Sequence, residues 1–243
     1  MITLSTARTR PSTAGMMGNA AAITARFDAA QTGATLPDHL QAIQSYGARQ
    51  HYQRNETVFN QGDPADQVYR IVDGTVRLCR HLPDGRRYIM DFLLPGDVMG
   101  FVESPDQPVS AEAVTEVSLI AFPRGCFDRL ARENAGARHQ LLRHMSESLQ
   151  MAQQHLFVLG CQKANERVAS FLLRLADRLD VMCGDRIDLT MSRQDIADHL
   201  GLTIETISRS ITALRGSGVI LVPNAHQIIL RDMAALRVLA AES

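Results

Sequence analysis

Residues 192–214 read Ser-Arg-Gln-Asp-Ile-Ala-Asp-His-Leu-Gly-Leu-Thr-Ile-Glu-Thr-Ile-Ser-Arg-Ser-Ile-Thr-Ala-Leu. Two short amphipathic segments meet at Gly201. Ala197 is small where two helices would cross, and Gly201, four residues on, tolerates the left-handed backbone of a tight turn. Ile207, ten residues after Ala197, supplies an apolar wedge between them. Ser192 and Thr203 stand where a side-chain oxygen can accept from the free amides that open a helix. These residues at these spacings predict a helix-turn-helix, whose second helix can lie in a DNA major groove. An ordinary helical hairpin is the competing reading.

With the second helix capped at Thr203, Ile204, Ile207, Ile211 and Leu214 form one apolar stripe that should pack on the domain. Glu205, Ser208, Arg209 and Thr212 fall on the opposite face. Arginine can donate two parallel hydrogen bonds to guanine, glutamate can accept from a cytosine amine, and serine can touch a base edge. Glu205, Ser208 and Arg209 are therefore the candidate base readers. Glu205 and Arg209, four residues apart, also suit a weak surface ion pair, and the two roles are compatible because the carboxylate could hold the guanidinium fork. Ser192, Arg193 and Gln194, with Thr203 and Ser210, are candidate contacts to the DNA backbone, which position a duplex without specifying its sequence. Beyond Gly216 and Gly218, residues 219–222 and 227–230 read as the two strands of a small wing with His226 at its tip.

Upstream, the character of the chain changes. Turn signals recur at Gly62-Asp63, Asp73-Gly74, Asp84-Gly85 and Pro95-Gly96-Asp97, with glycines 12, 11 and 11 residues apart. Runs rich in β-branched and aromatic residues lie between them, at 57–59, 67–72, 75–79 and 88–94; residues 109–114 and 117–122 follow. Short strands at even spacing predict an antiparallel barrel or jelly roll, with residues 82–86 as a hairpin tip. From 137 to 160 the period becomes helical: Leu142, Met145, Leu149, Ala152, Leu156 and Leu159 step by 3, 4, 3, 4 and 3. So narrow a seam suits a parallel homodimer, although a helix lying on its own barrel would show a related stripe. A twofold dimer also suits a reader of paired half-sites. Residues 164–180 form a further amphipathic helix. The expected class is α+β: a tail over 1–32, a β-barrel over 33–134, a dimerisation helix over 135–161 and a winged helix-turn-helix over 162–243. A helical turn near 23–27 and a short helix over 37–46 are also expected.

The chain of 243 residues is 45% hydrophobic without a long apolar run, so no membrane span is expected. No charged-then-apolar leader is visible, and a cytoplasmic location is expected. Net charge is −1, and residues 162–243 carry ten basic and ten acidic side chains. Placement, not bulk charge, argues for DNA, and affinity would come from a paired site. No two of Cys79, Cys126, Cys161 and Cys183 lie within four residues of each other, which excludes zinc-ribbon and redox-pair spacings. Small reduced core residues are expected, with Cys183 the candidate redox thiol because it sits just before the helix-turn-helix. Cys79-Arg80-His81 puts two ligand types on one strand face, but two ligands do not make a site, and no metal is expected. No nucleophile–base set or phosphate loop is present, so no enzyme is expected.

A jelly-roll barrel, a long dimer helix and a C-terminal winged helix-turn-helix resemble the Crp–Fnr family of bacterial transcription regulators over roughly residues 36–240. Glu205-Thr206-Ile207-Ser208-Arg209 looks like the Glu-x-x-Ser-Arg reading head of the Fnr and FixK branches. The resemblance implies that Glu205, Ser208 and Arg209 read a half-site like TTGAT, in a palindrome of the form TTGAT-N4-ATCAA. Residues 82–100 and Ser110-Ala111-Glu112-Ala113-Val114 look most like the FixK group, which activates genes for low-oxygen respiration and nitrogen fixation. It also implies a cyclic-nucleotide-binding-like barrel and contact with RNA polymerase through exposed loops, the 83–87 tip among them. Departures matter as much. No cysteine precedes Cys79, which argues against an Fnr-type iron–sulfur cluster. Phe101 follows Gly100, and Val109 stands about where the cyclic-AMP branch has its phosphate-binding arginine, so no cyclic nucleotide is expected. Gly100 and Val102 stand where the haem-based carbon monoxide sensor carries Cys-x-His. No cofactor is expected. The leading expectation is a ligand-independent activator set by its own abundance; the alternative is a sensor whose barrel binds an unidentified effector.

Overall fold

The computed structural model describes residues 47–182 and 184–241. The expected tail, the helix over 37–46 and Cys183 lie outside the described residues. Among the described residues eight strands come first: β1 Ala48–Tyr52, β2 Thr57–Phe59, β3 Gln67–Asp73, β4 Val76–His81, β5 Arg87–Leu93, β6 Val98–Met99, β7 Ser110–Ala113 and β8 Val117–Pro123. They pair antiparallel in two four-stranded sheets, ordered β1-β8-β3-β6 and β2-β7-β4-β5. Side chains of one parity turn inward from both sheets, and Phe59, Ile71, Val76, Leu93, Met99 and Leu119 share one buried cluster. The four turn glycines all have positive φ, between 84° and 97°. At Gly74 a Cβ would lie 2.1 Å from the carbonyl oxygen of Glu116, so the β3–β4 turn has no room for a side chain.

Six helices and three strands follow: α1 Arg124–Glu133, α2 Ala135–Cys161, α3 Ala164–Arg178, β9 Arg186–Asp188, α4 Arg193–Leu200, α5 Ile204–Gly216, β10 Ile220–Asn224, β11 Gln227–Leu230 and α6 Met233–Ala241. The wing is a three-stranded sheet, β10-β11-β9, because β9 adds to the expected hairpin. Helix α2, with 27 residues, is about 40 Å long. Along it Leu142, Met145, Leu149 and Leu156 are 48–67% exposed, while His155 and Val158 on the other side are buried. Ala152 is exposed as well; Leu159, at the last turn, is half-buried.

The outer face of the β4-β5 sheet packs on the C-terminal helices. Cys79, Ile89 and Phe92 of the barrel share a core with Phe171 and Leu172 of α3 and Ile196 and Leu200 of α4. An ionic latch crosses the same junction. Arg77 pairs with Glu112 at 2.7 Å and with Asp195 at 3.1 Å. Arg87 pairs with Asp195 at 2.6 Å and Asp198 at 2.7 Å. This corrects the placing of Arg87 on an exposed 83–87 tip: it opens β5, and its guanidinium turns onto α4. Arg167 of α3 closes two helix ends at once, donating to the carbonyls of Leu159 and Gln162 at the end of α2 and of Leu200 at the end of α4. Among the described residues no helix is long and apolar enough to cross a membrane.

Buried ion pairs add little net stability, yet removing one partner leaves the other desolvated and unpaired. Arg77→Met should lower stability by about 3 kcal/mol in denaturant unfolding. Arg86→Met, on the exposed hairpin tip, should leave the midpoint unchanged.

Candidate nucleic-acid interface

Helix α4 starts with a capping box. Ser192 Oγ accepts from the Asp195 amide at 3.1 Å, and the Asp195 carboxylate accepts from the Ser192 amide at 3.0 Å. The helix stops at Gly201, which adopts φ 61° and donates its amide to the Ala197 carbonyl. Thr203 Oγ1 then caps α5, accepting from the Thr206 amide at 3.2 Å. Ala197 and Ile207 are fully buried. Ile211 and Leu214 are buried as well, but Ile204 is 39% exposed. It opens α5 one turn before the crossing at Ile207, so the apolar stripe is one residue shorter than its spacing suggests.

Glu205, Ser208, Arg209 and Thr212 are exposed on the opposite face of α5. Among the described residues the Arg209 guanidinium makes no hydrogen bond or ion pair. The Glu205 carboxyl is held below the usual range by its own backbone amide and the Thr203 hydroxyl, with Arg209 a smaller influence. Its carboxylate thus serves the start of α5 first. Ser208 Oγ donates to the Ile204 carbonyl at 2.9 Å, which leaves its lone pairs to face outward.

The candidate backbone contacts divide. Ser210 is 2% exposed, because it lies three residues after Ile207 on the packed side of α5; its assignment to a phosphate is withdrawn. The Ser192 hydroxyl donates to Asp195 Oδ2 at 2.7 Å, so its proton is committed. The same carboxylate already answers the positive end of α4, which disfavours a phosphate there. Gln194 is exposed and donates one amide hydrogen to Asp198 Oδ1, keeping the other. Thr203 is exposed. Arg193 is half-buried, its Nη1 has no partner among the described residues, and burial lowers its pKa. His226 is exposed at the wing tip, its amide donating to Asn224 Oδ1.

A polar cluster that the sequence did not signal packs behind the first helix of the helix-turn-helix. His199 of α4 lies among Phe92 of β5, Phe171 of α3 and His155 of α2, stacked on the last with ring centroids 4.2 Å apart. His199 Nδ1 donates to the Ile89 carbonyl at 3.0 Å, so Nε2 is the acceptor that meets Arg174. Burial, then Arg174, lowers the pKa of both rings, that of His199 furthest. Nearby, a cavity of about 1000 Å³ is lined by Asp97, Gln154, His155, Arg174 and Arg178. It lies between the 94–97 turn, α2 and α3. Inside the barrel, Ser110 Oγ accepts from the Gln61 amide.

Residues 49–134 match the cyclic nucleotide-binding domain family, and residues 166–239 match the Crp-like helix-turn-helix domain family. The nitrogen fixation regulation protein FixK of Azorhizobium caulinodans is 41% identical over 200 residues, 81% of each chain. The transcriptional activatory protein AadR of Rhodopseudomonas palustris is 40% identical over 185 residues, 73% of this chain and 76% of that one. A solved structure of FixK2 from Bradyrhizobium japonicum superposes with a TM-score of 0.77 at 36% identity, over 81% of this chain and 98% of that one. Fold and site together define a DNA-binding transcription regulator, not an enzyme. The chain belongs to the Crp–Fnr family, on its FixK-like branch.

Neutral, buried histidines give a pH signature. The unfolded chain takes up protons below about pH 6.5 that the folded rings refuse. Stability is therefore full above that value and is lost as pH falls toward the lowered folded-state values. The thermal midpoint should hold from about pH 8 to 7 and drop between about 6.5 and 5.5. His155→Phe, which keeps the stack, should make the drop shallower; an equal drop in both proteins would exclude His155 as a contributor.

Proposed function

We propose that this chain is a homodimeric, sequence-specific activator that works in the cytoplasm on a palindrome of the form TTGAT-N4-ATCAA. The observation that carries the reading is the exposed Arg209 guanidinium, unpartnered among the described residues, on a helix whose other face is buried. A free fork on a rigid, capped rod is what bidentate recognition of guanine needs. Ser208, with its lone pairs outward, and Glu205 flank it. Arg193, Gln194 and Thr203 remain as backbone contacts. The exposed seam of Leu142, Met145, Leu149, Ala152 and Leu156 supports pairing through α2, with Leu159 at its inner end. Two copies related by a twofold axis would present two reading heads to the two half-sites. By analogy with FixK, the target genes serve low-oxygen respiration or nitrogen fixation, and RNA polymerase is met by exposed loops such as 82–86. A second reading, effector control, is favoured by the cavity beside α2, where His155 Nε2 is buried without a partner among the described residues. Calorimetry of purified protein against cell metabolites separates the two, since a ligand required for tight operator binding would replace control by abundance.

Arg209→Ala should weaken operator binding by about 1–3 kcal/mol and relax the preference for guanine. Gel shifts with operator variants measure both, and unchanged discrimination at that base pair would remove Arg209 from the reading head. Leu149→Glu combined with Leu156→Glu should give monomers in sedimentation, with a folded circular dichroism spectrum and weak operator binding.

A further inference from the structure

We propose that Cys79, His81 and Glu112 form a binding site for a divalent transition ion of the zinc type, placed beside the arginines that grip α4. The sequence offered only the pair on β4. The third donor comes from β7, whose pairing with β4 sets Glu112 opposite Arg77 and Ser110 opposite Cys79. Ligand atoms of the three side chains all lie within 4.8 Å of one another. Cys79 Sγ is 3.7 Å from His81 Nε2, and His81 Nε2 is 2.7 Å from Glu112 Oε1.

Thiolate, imidazole and carboxylate are donors that zinc takes, at bond lengths of about 2.0 to 2.3 Å. A tetrahedral ion with such bonds sets sulfur and nitrogen about 3.6 Å apart, and nitrogen and oxygen about 3.3 Å apart. The sulfur–nitrogen spacing is therefore already suitable. The imidazole must back away from the carboxylate by about 0.6 Å, and His81, with its side chain 56% exposed, has room to do so. Water would complete the coordination. The carboxylate is aimed by its other oxygen, since Glu112 Oε2 accepts from Arg77 Nε at 2.8 Å and lies 2.7 Å from its Nη2. That is the outer contact that orients a metal-binding carboxylate.

Charge favours a cation as well. The junction sets three carboxylates, Glu112, Asp195 and Asp198, against two guanidiniums, Arg77 and Arg87. A divalent ion that displaces the Cys79 proton forms a sulfur–metal bond, breaks the S–H bond and releases the proton to water, a net gain of one positive charge. The excess negative charge is then cancelled. Cys79 itself is fully buried and in no disulfide, so its sulfur is held in place by the core around it. With the Glu112 charge drawn to the ion, Arg77 and Arg87 lean toward Asp195 and Asp198, and α4 is held more firmly on the barrel.

The test uses the reduced full-length chain, tag removed and stripped of metal, with cobalt(II) as the probe. One cobalt per chain should bind with a near-ultraviolet sulfur-to-cobalt band that zinc abolishes. Cys79→Ser should lose the band, His81→Ala and Glu112→Gln should weaken binding about tenfold or more, and Cys161→Ser should keep both. Zinc should raise the thermal midpoint of the unaltered chain and not that of His81→Ala. Should Cys79→Ser fail to fold, the exposed His81 position still decides. Absence of the band, its survival in Cys79→Ser or undiminished in His81→Ala, or equal zinc effects on both midpoints would overturn the proposal.

Discussion

One carboxylate joins the two halves of this molecule. Asp195 closes the first turn of α4 through the Ser192 amide and hydroxyl, and it receives Arg77 and Arg87 from the barrel. The group that decides where the helix begins therefore also decides where the helix sits. Burial works against its charge, but Ser192 and the two arginines outweigh that cost and hold its pKa below the usual range. Such a pair is better understood as a device for placement than as a source of net stability. Hydrophobic packing of Ile89 and Phe92 on Ile196 and Leu200 brings the surfaces together, and the charges choose one register among the sliding arrangements that greasy surfaces permit.

What could be read in the chain was what is local. Turn glycines and alternating apolar runs marked six of the eight barrel strands within about two residues, because period and backbone strain are written in neighbouring positions. The caps at Ser192 and Thr203 and the left-handed Gly201 were visible for the same reason. Contacts between distant segments were not. Arg77 and Asp195 are 118 residues apart, and nothing beside either announces the other. Strand β9 is three residues long and exists because β11 has an edge to offer. Ser210 and Ile204 differ from their expected faces of α5, since a serine suits either face of a helix and an isoleucine in the first turn is not yet under cover. Glu112 stands in a legible strand, but its nearness to Cys79 and His81 depends on strand pairing.

The helix-turn-helix devotes most of its polar groups to its own construction. Ser192, Asp195, Thr203 and Ser208 all hold backbone or neighbouring side chains. In a DNA-binding domain whose charge is balanced, a weak general attraction to duplex would leave discrimination to a small number of well-held side chains.

The stacked rings of His155 and His199 couple α2 to α4 mechanically. His155 lies on the flank of α2 away from its bare leucines, so a roll of the helix driven at those leucines carries His155 with it. The two rings lie nearly parallel, inclined by 12° with centroids 4.2 Å apart, and Phe92 and Phe171 wall in His199, so the pair can neither separate nor slip without opening the core. A roll of α2 would therefore be delivered to α4 as a sideways push, and the angle of the rod behind Arg209 would be geared to how the long helix is seated.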